Sequence, residues 1–411
     1  MGTLLLRDVR PLGGAAVDVL VQDGRIAAIG AGLAAPADAV VEQGGGGLLL
    51  PGLVESHTHL DKTLWGLPWY RNEVGARLVD RIDNERRFRA ATGHDAEAQS
   101  LALALAFLAQ GTTRIRTHVD IDTDAGLRHL RGVLATRERL RDVLDLQVVA
   151  FPQSGLLSRP GTEALLREAL EQGTDVLGGL DPQGIDHDAA RSLDVLFGLA
   201  TRHGVPLDIH LHETGEEGVR TLQAVLDRTQ AQGLQGRVAI SHAFCLGDAP
   251  EGVRGALLDR MARLQVAVIT TGTASRPVPS LLACRAAGVP VAGGNDGIRD
   301  TWTPYGRPDM LERAMLIGLR NNLRRDDEIA AALECVTSGG AAVCGFEGYG
   351  LAPGCVADLV VVQAETPADA VVSRPVRDLV LARGQVVARG NGLSPLLQSH
   401  LSTPQARSSA G

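Results

Sequence analysis

Short apolar runs alternate with amphipathic stretches through most of the chain. Eight such runs, rich in aliphatic and β-branched residues, are each followed by a turn signal or by apolar residues at helical spacing. They cover residues 52–57, 112–118, 146–151, 176–180, 206–210, 238–242, 265–269 and 289–293. Eight strand-and-helix units are what a (β/α)8 barrel requires, whereas a doubly wound sheet more often stops at five to seven strands. The pattern therefore predicts an α/β fold built around a TIM barrel.

Strand-like runs also occur at the two ends of the chain. They fall within residues 3–50, and again at residues 357–362, 378–381 and 385–387. Neither end has enough residues for a core of its own, so we expect the two ends to pair into one small β-sandwich domain. The predicted division is residues 1–51 with 346–390 for the sandwich, 52–345 for the barrel, and 391–411 for a flexible tail.

Four of the eight runs end next to a side chain that can bind a metal. These side chains are His57 and His59 after the first run, His210 after the fifth, His242 after the sixth and Asp296 after the eighth. An isolated His-x-His pair more often caps a strand or joins a hydrogen-bond network. The joint pattern favours a metal site, because the carboxyl ends of barrel strands meet at one face. Three imidazoles and one carboxylate suit Zn²⁺ or Fe²⁺ and leave a position open for water.

The residues around the first run resemble a known family. Residues 51–61 read Pro-Gly-Leu-Val-Glu-Ser-His-Thr-His-Leu-Asp, and together with the later His and Asp residues they are similar to the amidohydrolase superfamily over residues 3–390. Residues 116–120, 150–153 and 296–302 resemble signatures of its cytosine deaminase branch, which includes enzymes of the N-isopropylammelide amidohydrolase type. The resemblance implies a metal-dependent deaminase of an amino-substituted N-heterocycle, a cytosine-like pyrimidine or an amino-triazine.

The resemblance also implies roles for individual residues. One divalent ion is held by His57, His59, His210 and Asp296. Asp296 takes a proton from the attacking water, and His242 orients and polarises that water. Glu213 carries the proton to a ring nitrogen and then to the leaving amine, although a solvated acid at this position is an alternative.

Two further residues are candidates for binding substrate. Gln153 offers both a donor and an acceptor to the N–C=O edge of a heterocycle, with a loop cap as the alternative. Trp302 is a candidate lid over the ring, with simple packing as the alternative. The roles of five nearby residues are left open; these are Lys62, His118, Asp120, His212 and Asp300.

Lys62 is the only lysine of the chain and lies just after the first strand. The resemblance implies that a binuclear centre would need a carboxylated lysine at the end of strand four, where this sequence has Leu180-Asp181. We therefore expect a mononuclear site. Three features depart from cytosine deaminase and alter the expected wall of the substrate pocket: Gly297 after Asp296, His at position 212, and Asp181-Pro182-Gln183-Gly184 after strand four.

Composition narrows the range of partners. The formal net charge of −8 disfavours nucleic acid, and the longest apolar stretch, residues 101–109, is half of what a bilayer requires. The sequence predicts a cytoplasmic protein with a small N-heterocyclic substrate, and a homo-oligomer is compatible with it. The remaining histidines are expected at the surface; they are His94, His129, His187, His203 and His400.

Two other functions are compatible with the same residues. A cyclic amide or amidine hydrolase of the creatinine or hydantoin type would use the same activated water to open a ring. A barrel that serves as a non-catalytic scaffold is the alternative of another class, although such proteins have usually lost metal ligands and this chain keeps the whole set.

Overall fold

A computed structural model describes residues 2–75, 77–395 and 397–398 of the chain. The first four strands are β1 (Leu4–Pro11), β2 (Val17–Gln22), β3 (Arg25–Gly30) and β4 (Val40–Pro51). The next eight are β5 (Leu53–Thr58), β6 (Thr112–Asp120), β7 (Asp145–Phe151), β8 (Val176–Leu180), β9 (Leu207–His210), β10 (Val238–Ser241), β11 (Ala267–Thr270) and β12 (Val291–Gly293). These eight form one sheet in chain order, and every neighbouring pair is parallel. They correspond to the eight predicted strands.

The first and last barrel strands meet next to the predicted site. The backbone N–H of Asp296 donates to the carbonyl of His57 at 2.7 Å, and Thr58 and Asp296 form a parallel bridge. Asp296 is therefore placed by the contact that joins the two edges of the barrel sheet.

Helices surround the barrel and follow its strands. They are α1 (Leu78–Thr92), α2 (Ala96–Ala109), α3 (Arg128–Leu140), α4 (Thr162–Glu171), α5 (Ala189–His203), α6 (Gly215–Ala231), α7 (Cys245–Asp248), α8 (Glu251–Leu264), α9 (Leu281–Ala287), α10 (Met310–Arg320), α11 (Asp326–Cys335), α12 (Ser338–Cys344) and α13 (Pro367–Ser373). Helix α5 shows how the sequence sets its ends: the Asp188 side chain accepts from the Arg191 N–H, and Gly204 closes the helix with a φ of 67°. Its apolar face, with Leu193 and Phe197, packs into the barrel core.

The two ends of the chain form a second sheet, as predicted. Strands β13 (Leu359–Val362), β14 (Arg377–Ala382), β15 (Gln385–Arg389) and β16 (Gly392–Leu393) join β1–β4 in the order β16-β15-β14-β13-β4-β1-β2-β3. Strand β4 pairs parallel with β1 and antiparallel with β13, so it links the two chain ends. A separate apolar cluster, which includes Leu6, Leu49 and Leu381, packs on this sheet. The predicted fold class, a TIM barrel with a small domain from both chain ends, is confirmed.

The predicted limits of the domains can be compared with the strands. Strand β16 carries the small sheet to Leu393, three residues past the expected limit at residue 390. Residues 399–411 of the predicted tail, including His400, lie outside the described residues. The exact domain limits stay a prediction.

Arg377 connects the small sheet to the barrel through side-chain hydrogen bonds. This side chain is buried, donates to the carbonyl of Gln110 at 3.1 Å and forms an ion pair with Asp309, the N-terminal cap of α10.

Among the described residues, none of the helices has both the length and the apolar character that a membrane span requires.

Candidate metal centre and active site

Four predicted metal ligands meet at the carboxyl ends of the barrel strands. His57, His59, His210 and Asp296 each offer one ligand atom, and these atoms all lie within 4.8 Å of one another. Asp296 Oδ1 is 3.2 Å from His59 Nε2 and 3.6 Å from His57 Nε2. The barrel therefore gathers residues that are up to 239 positions apart in sequence.

Several ring nitrogens in this cluster have no hydrogen-bond partner among the described residues. His57 Nε2 and both ring nitrogens of His210 are buried and unpaired. Burial lowers the pKa of His59 to about 4 and the pKa of His210 well below its usual value, so both rings are neutral. Buried polar atoms are normally hydrogen-bonded, and neutral imidazoles with free lone pairs are the form that binds a divalent metal. The cluster therefore fits a divalent ion.

The hydrogen-bond chain behind His57 sets its tautomer. Ser241 Oγ donates to Asp208 Oδ1 at 2.6 Å and lies 2.8 Å from His57 Nδ1. The single hydroxyl proton is committed to Asp208, so the hydroxyl oxygen accepts a hydrogen bond from the His57 Nδ1–H group. His57 Nε2 is then left with a lone pair directed at the cluster, the arrangement that orients metal-bound histidines.

Unusual backbone conformations occur where two of the strands end. His242, Ala243 and Asp296 have positive φ angles of 70°, 47° and 63°. Such conformations are uncommon for residues with a Cβ and concentrate at functional sites. They turn the chain sharply after β10 and β12, a feature that the spacing of apolar residues does not predict.

Gly294 provides the close approach between β12 and β5, which makes it a target for mutation. A Cβ at position 294 would lie 2.5 Å from His57 Cβ and 2.7 Å from its backbone nitrogen. We expect Gly294→Ala to displace His57, lower the metal content and destabilise the protein by about 1–3 kcal/mol, as overpacking does. Elemental analysis and thermal unfolding measure both effects. Gly198→Ala is the control, because its added Cβ meets no heavy atom of the described residues within 4 Å apart from its chain neighbours and the backbone of its own helix. Normal metal content in Gly294→Ala would contradict this packing argument.

His242 lies beside the cluster, as expected for a residue that orients water. Its ring centroid is 5.0 Å from His57 and 5.1 Å from His210. Both of its ring nitrogens are buried and have no hydrogen-bond partner in the described part of the chain. The His212 ring stacks on it at 4.3 Å.

His212 and Asp181 form a pair whose role the sequence left open. Asp181 accepts from the His212 backbone N–H at 2.6 Å and lies 2.7 Å from His212 Nδ1. The sequence gives one signal for His212, its His-x-His spacing with His210. Asp181 had no comparable signal, because its contact is made across two neighbouring strand ends.

Glu213 is held by three hydrogen bonds. Its Oε1 accepts from the backbone N–H groups of Gln183 and Gly184 at 2.8 and 3.0 Å, and its Oε2 accepts from Thr221. Burial raises the pKa of Glu213 even though these donors oppose the shift. The side chain is 7% exposed, so the alternative of a solvated acid is wrong. Its role as the proton carrier stays a prediction.

Gln153 and Trp302 both contact Lys62. The Lys62 ammonium donates to Gln153 Oε1 and lies 5.4 Å from the centroid of the Trp302 ring. The Trp302 indole N–H donates to Glu85 at 2.8 Å. Gln153 and Trp302 are the predicted substrate-binding residues. Lys62, for which the sequence predicts no role, contacts both of them.

The other residues whose roles were left open lie close to the same site. The His118 ring centroid is 4.1 Å from that of His57, Asp120 is 3.2 Å from the Lys62 ammonium, and Asp300 accepts from the Trp302 backbone N–H at 2.7 Å.

One expectation for the histidines outside the site is wrong. His129 was expected at the surface, but it is only 4% exposed and its Nδ1 lies 2.7 Å from Asp61. Helix α3 turns this residue inward, because its apolar face packs on the barrel at Leu130 and Val133. His94 is half-buried and contacts the carbonyl of Asp61.

The chain is similar in sequence and in fold to several known proteins. Residues 44–388 match the model of the amidohydrolase family. The chain is similar to N-isopropylammelide isopropyl amidohydrolase of Pseudomonas sp. strain ADP, with 32% identity over 84% of this chain and 87% of the relative. It is also similar to the crystal structure of N-isopropylammelide isopropylaminohydrolase from Burkholderia multivorans, with 62% identity, coverage of 96% and 100%, and a TM-score of 0.94. For 5-methylcytosine deaminase from Klebsiella pneumoniae these values are 28%, 94% and 97%, and 0.83.

Proposed function

Since this chain belongs to the amidohydrolase family, we propose that it is a metal-dependent hydrolase that releases ammonia or a small amine from an amino-substituted N-heterocycle. The observation that carries the proposal is the convergence of His57, His59, His210 and Asp296 at one end of the barrel. Relatives named for isopropylammelide and 5-methylcytosine support an aromatic nitrogen ring as the substrate. An alkylamino-triazine is the first compound to test.

We propose that these four residues hold one ion, Zn²⁺ or Fe²⁺. Three imidazoles and one carboxylate suit either metal. When bound, the ion supplies a water molecule acidic enough to ionise near neutral pH. Lys62 is engaged with Asp120 and Gln153, away from the end of β8, so it cannot supply the bridge of a binuclear centre.

Three residues of the chain have separate roles in the remaining steps of the proposed reaction. Asp296, whose Oδ1 lies 3.2 Å from His59 Nε2, takes a proton from the attacking water in this proposal. His242 has unpaired ring nitrogens and orients the water for attack on the carbon that bears the amine. Glu213 delivers the proton to the departing nitrogen, a general acid–base contribution typically worth about 10²–10⁴-fold.

The bond that breaks distinguishes this proposal from ring opening. We expect the product to keep its ring and to carry a carbonyl group where the amine was, with ¹⁸O from labelled water at that carbon. The test is mass spectrometry of the metal-loaded protein incubated with amino-pyrimidines, alkylamino-triazines, pterins and creatinine. Addition of water without loss of amine would instead identify a cyclic amide hydrolase. No turnover of any compound by fully loaded protein would favour the scaffold. The cytoplasmic location and the oligomeric state stay predictions.

A further inference from the structure

The chain's only lysine is buried at the mouth of the barrel. Lys62 follows His59 by three residues and is 5% exposed. Its ammonium lies 3.2 Å from Asp120 and 3.7 Å from Glu85, and it donates to Gln153. Burial lowers the pKa of an amine, but Asp120 and Glu85 outweigh this effect, and the pKa of Lys62 is raised above its ordinary value. Lys62 therefore carries a permanent positive charge.

This charge determines which way the Gln153 amide faces. An ammonium group has three donors and no acceptor, so only the oxygen of the amide can face it. Gln153 Oε1 is committed to Lys62. No group among the described residues accepts a hydrogen bond from Gln153 Nε2. Gln153 therefore has two free N–H donors for a ligand, whereas its oxygen already accepts from Lys62.

Gln153 lies on the side of the barrel that faces the metal cluster. It comes two residues after Phe151, whose ring stacks on His210 at 4.1 Å and is 5.6 Å from His59. The Trp302 ring lies over Lys62 and is anchored by Glu85. We expect a ring bound at the cluster to meet the Gln153 donors at its edge.

We propose that Lys62, by holding the oxygen of Gln153 and leaving its N–H donors for a ligand, restricts the substrate to heterocycles that present acceptors at the edge beside the reacting carbon. Oxo groups and unprotonated ring nitrogens meet this requirement, and an exocyclic amino group at that edge does not. This inference rests on the proposed function and deepens it by naming the class of ring. Lys62 acts through Gln153, so it is a positioning residue.

The selectivity follows from the cost of facing two donors towards each other. A buried donor left without an acceptor costs enough to change affinity by about 10- to 100-fold. We expect the protein to prefer a ring with an oxo neighbour over the same ring with an amino neighbour by about this factor in kcat/KM. Suitable pairs are 4-amino-2-oxopyrimidine against 2,4-diaminopyrimidine, and aminodioxotriazine against triaminotriazine.

Four variants separate the direction of the amide from its mere presence. Gln153→Glu keeps a partner for Lys62 but offers only acceptors, so we expect the preference to reverse. Gln153→Ala removes both the hydrogen bond to the oxo ring and the clash with the amino ring, so KM should rise for the oxo ring and the preference should disappear. Lys62→Met frees the amide to rotate, which should raise KM for the oxo ring more than it lowers kcat. Lys62→Arg restores the donors and should restore the preference.

Folding of the variants is controlled for within the same set. Lys62→Met leaves Glu85 without the Lys62 ammonium and Asp120 with Arg89 alone, so it is the variant at risk of misfolding. Gln153→Glu keeps that partner, so it tests the inference even if Lys62→Met does not fold. Thermal unfolding and metal content of each variant show which of them are intact.

Binding measured without turnover makes the inference independent of the deaminase reaction. Trioxotriazine and triaminotriazine are titrated calorimetrically into the metal-loaded protein carrying Glu213→Gln, in which turnover is expected to be about 10²–10⁴-fold slower. Absence of amine release from every compound would reject the proposed function, while tighter binding of the oxo ring that reverses in Gln153→Glu would still support the inference. Equal affinity of the Glu213→Gln protein for both rings, binding of neither, or an unchanged ratio when Gln153→Glu is added would each reject it.

Discussion

His57→Asn is expected to lose the bound metal and the enzymatic turnover together. His57 supplies a buried Nε2 that has no hydrogen-bond partner among the described residues, and its Nδ1 is hydrogen-bonded to Ser241. Asparagine cannot place a comparable nitrogen at that point. Loss of groups that merely orient a metal ligand already costs about 10- to 100-fold in metal affinity or activity, so removal of the ligand should cost at least about 100-fold. Elemental analysis and amine release measure both quantities.

The variant should still fold, because the apolar barrel core does not depend on the ion. His187→Asn is the matched control: His187 is exposed, and its φ of 59° suits asparagine. The wild-type protein should hold one metal per chain. Two metals per chain, or activity that persists in metal-free protein, would overturn the mononuclear site.

Glu213→Gln is expected to keep the metal and to lower turnover by about 10²–10⁴-fold through loss of the proton carrier. The amide oxygen of the new side chain can still accept from the backbone N–H groups of Gln183 and Gly184, and its NH₂ group can donate to the Thr221 hydroxyl. The local structure should therefore survive. The measurements are kcat, metal content and the thermal midpoint.

Glu217→Gln provides the control for Glu213→Gln, since Glu217 is an exposed acid in the first turn of α6. Its turnover should match that of the wild type. Loss of metal in Glu213→Gln would identify Glu213 as a ligand. Unchanged turnover would reduce Glu213 to an acceptor that joins the loop after β8 to the start of α6.

The sequence alone predicted the barrel and the set of residues at its mouth. Eight apolar runs at regular intervals specify eight buried strands, because parallel strands covered on both faces must be apolar. Once the barrel is known, any side chain at the carboxyl end of a strand faces the same mouth. This rule placed His57, His59, His210 and Asp296 together, and the structure finds them within 4.8 Å. The pairing of the two chain ends followed from the absence of a core in either end alone.

Contacts made across loops were decided only by the tertiary structure. The link from Lys62 to Gln153, the pair of Asp181 with His212 and the burial of His129 against Asp61 all join residues of different strand-and-helix units. Periodicity reports which face of an element is apolar, and it carries no information on the course of a loop or on a positive φ at a strand end. The sequence therefore determined which residues reach the mouth of the barrel. The loops and the turned strand ends decided which of them touch, and hence which atoms of Gln153 remain free for a ligand.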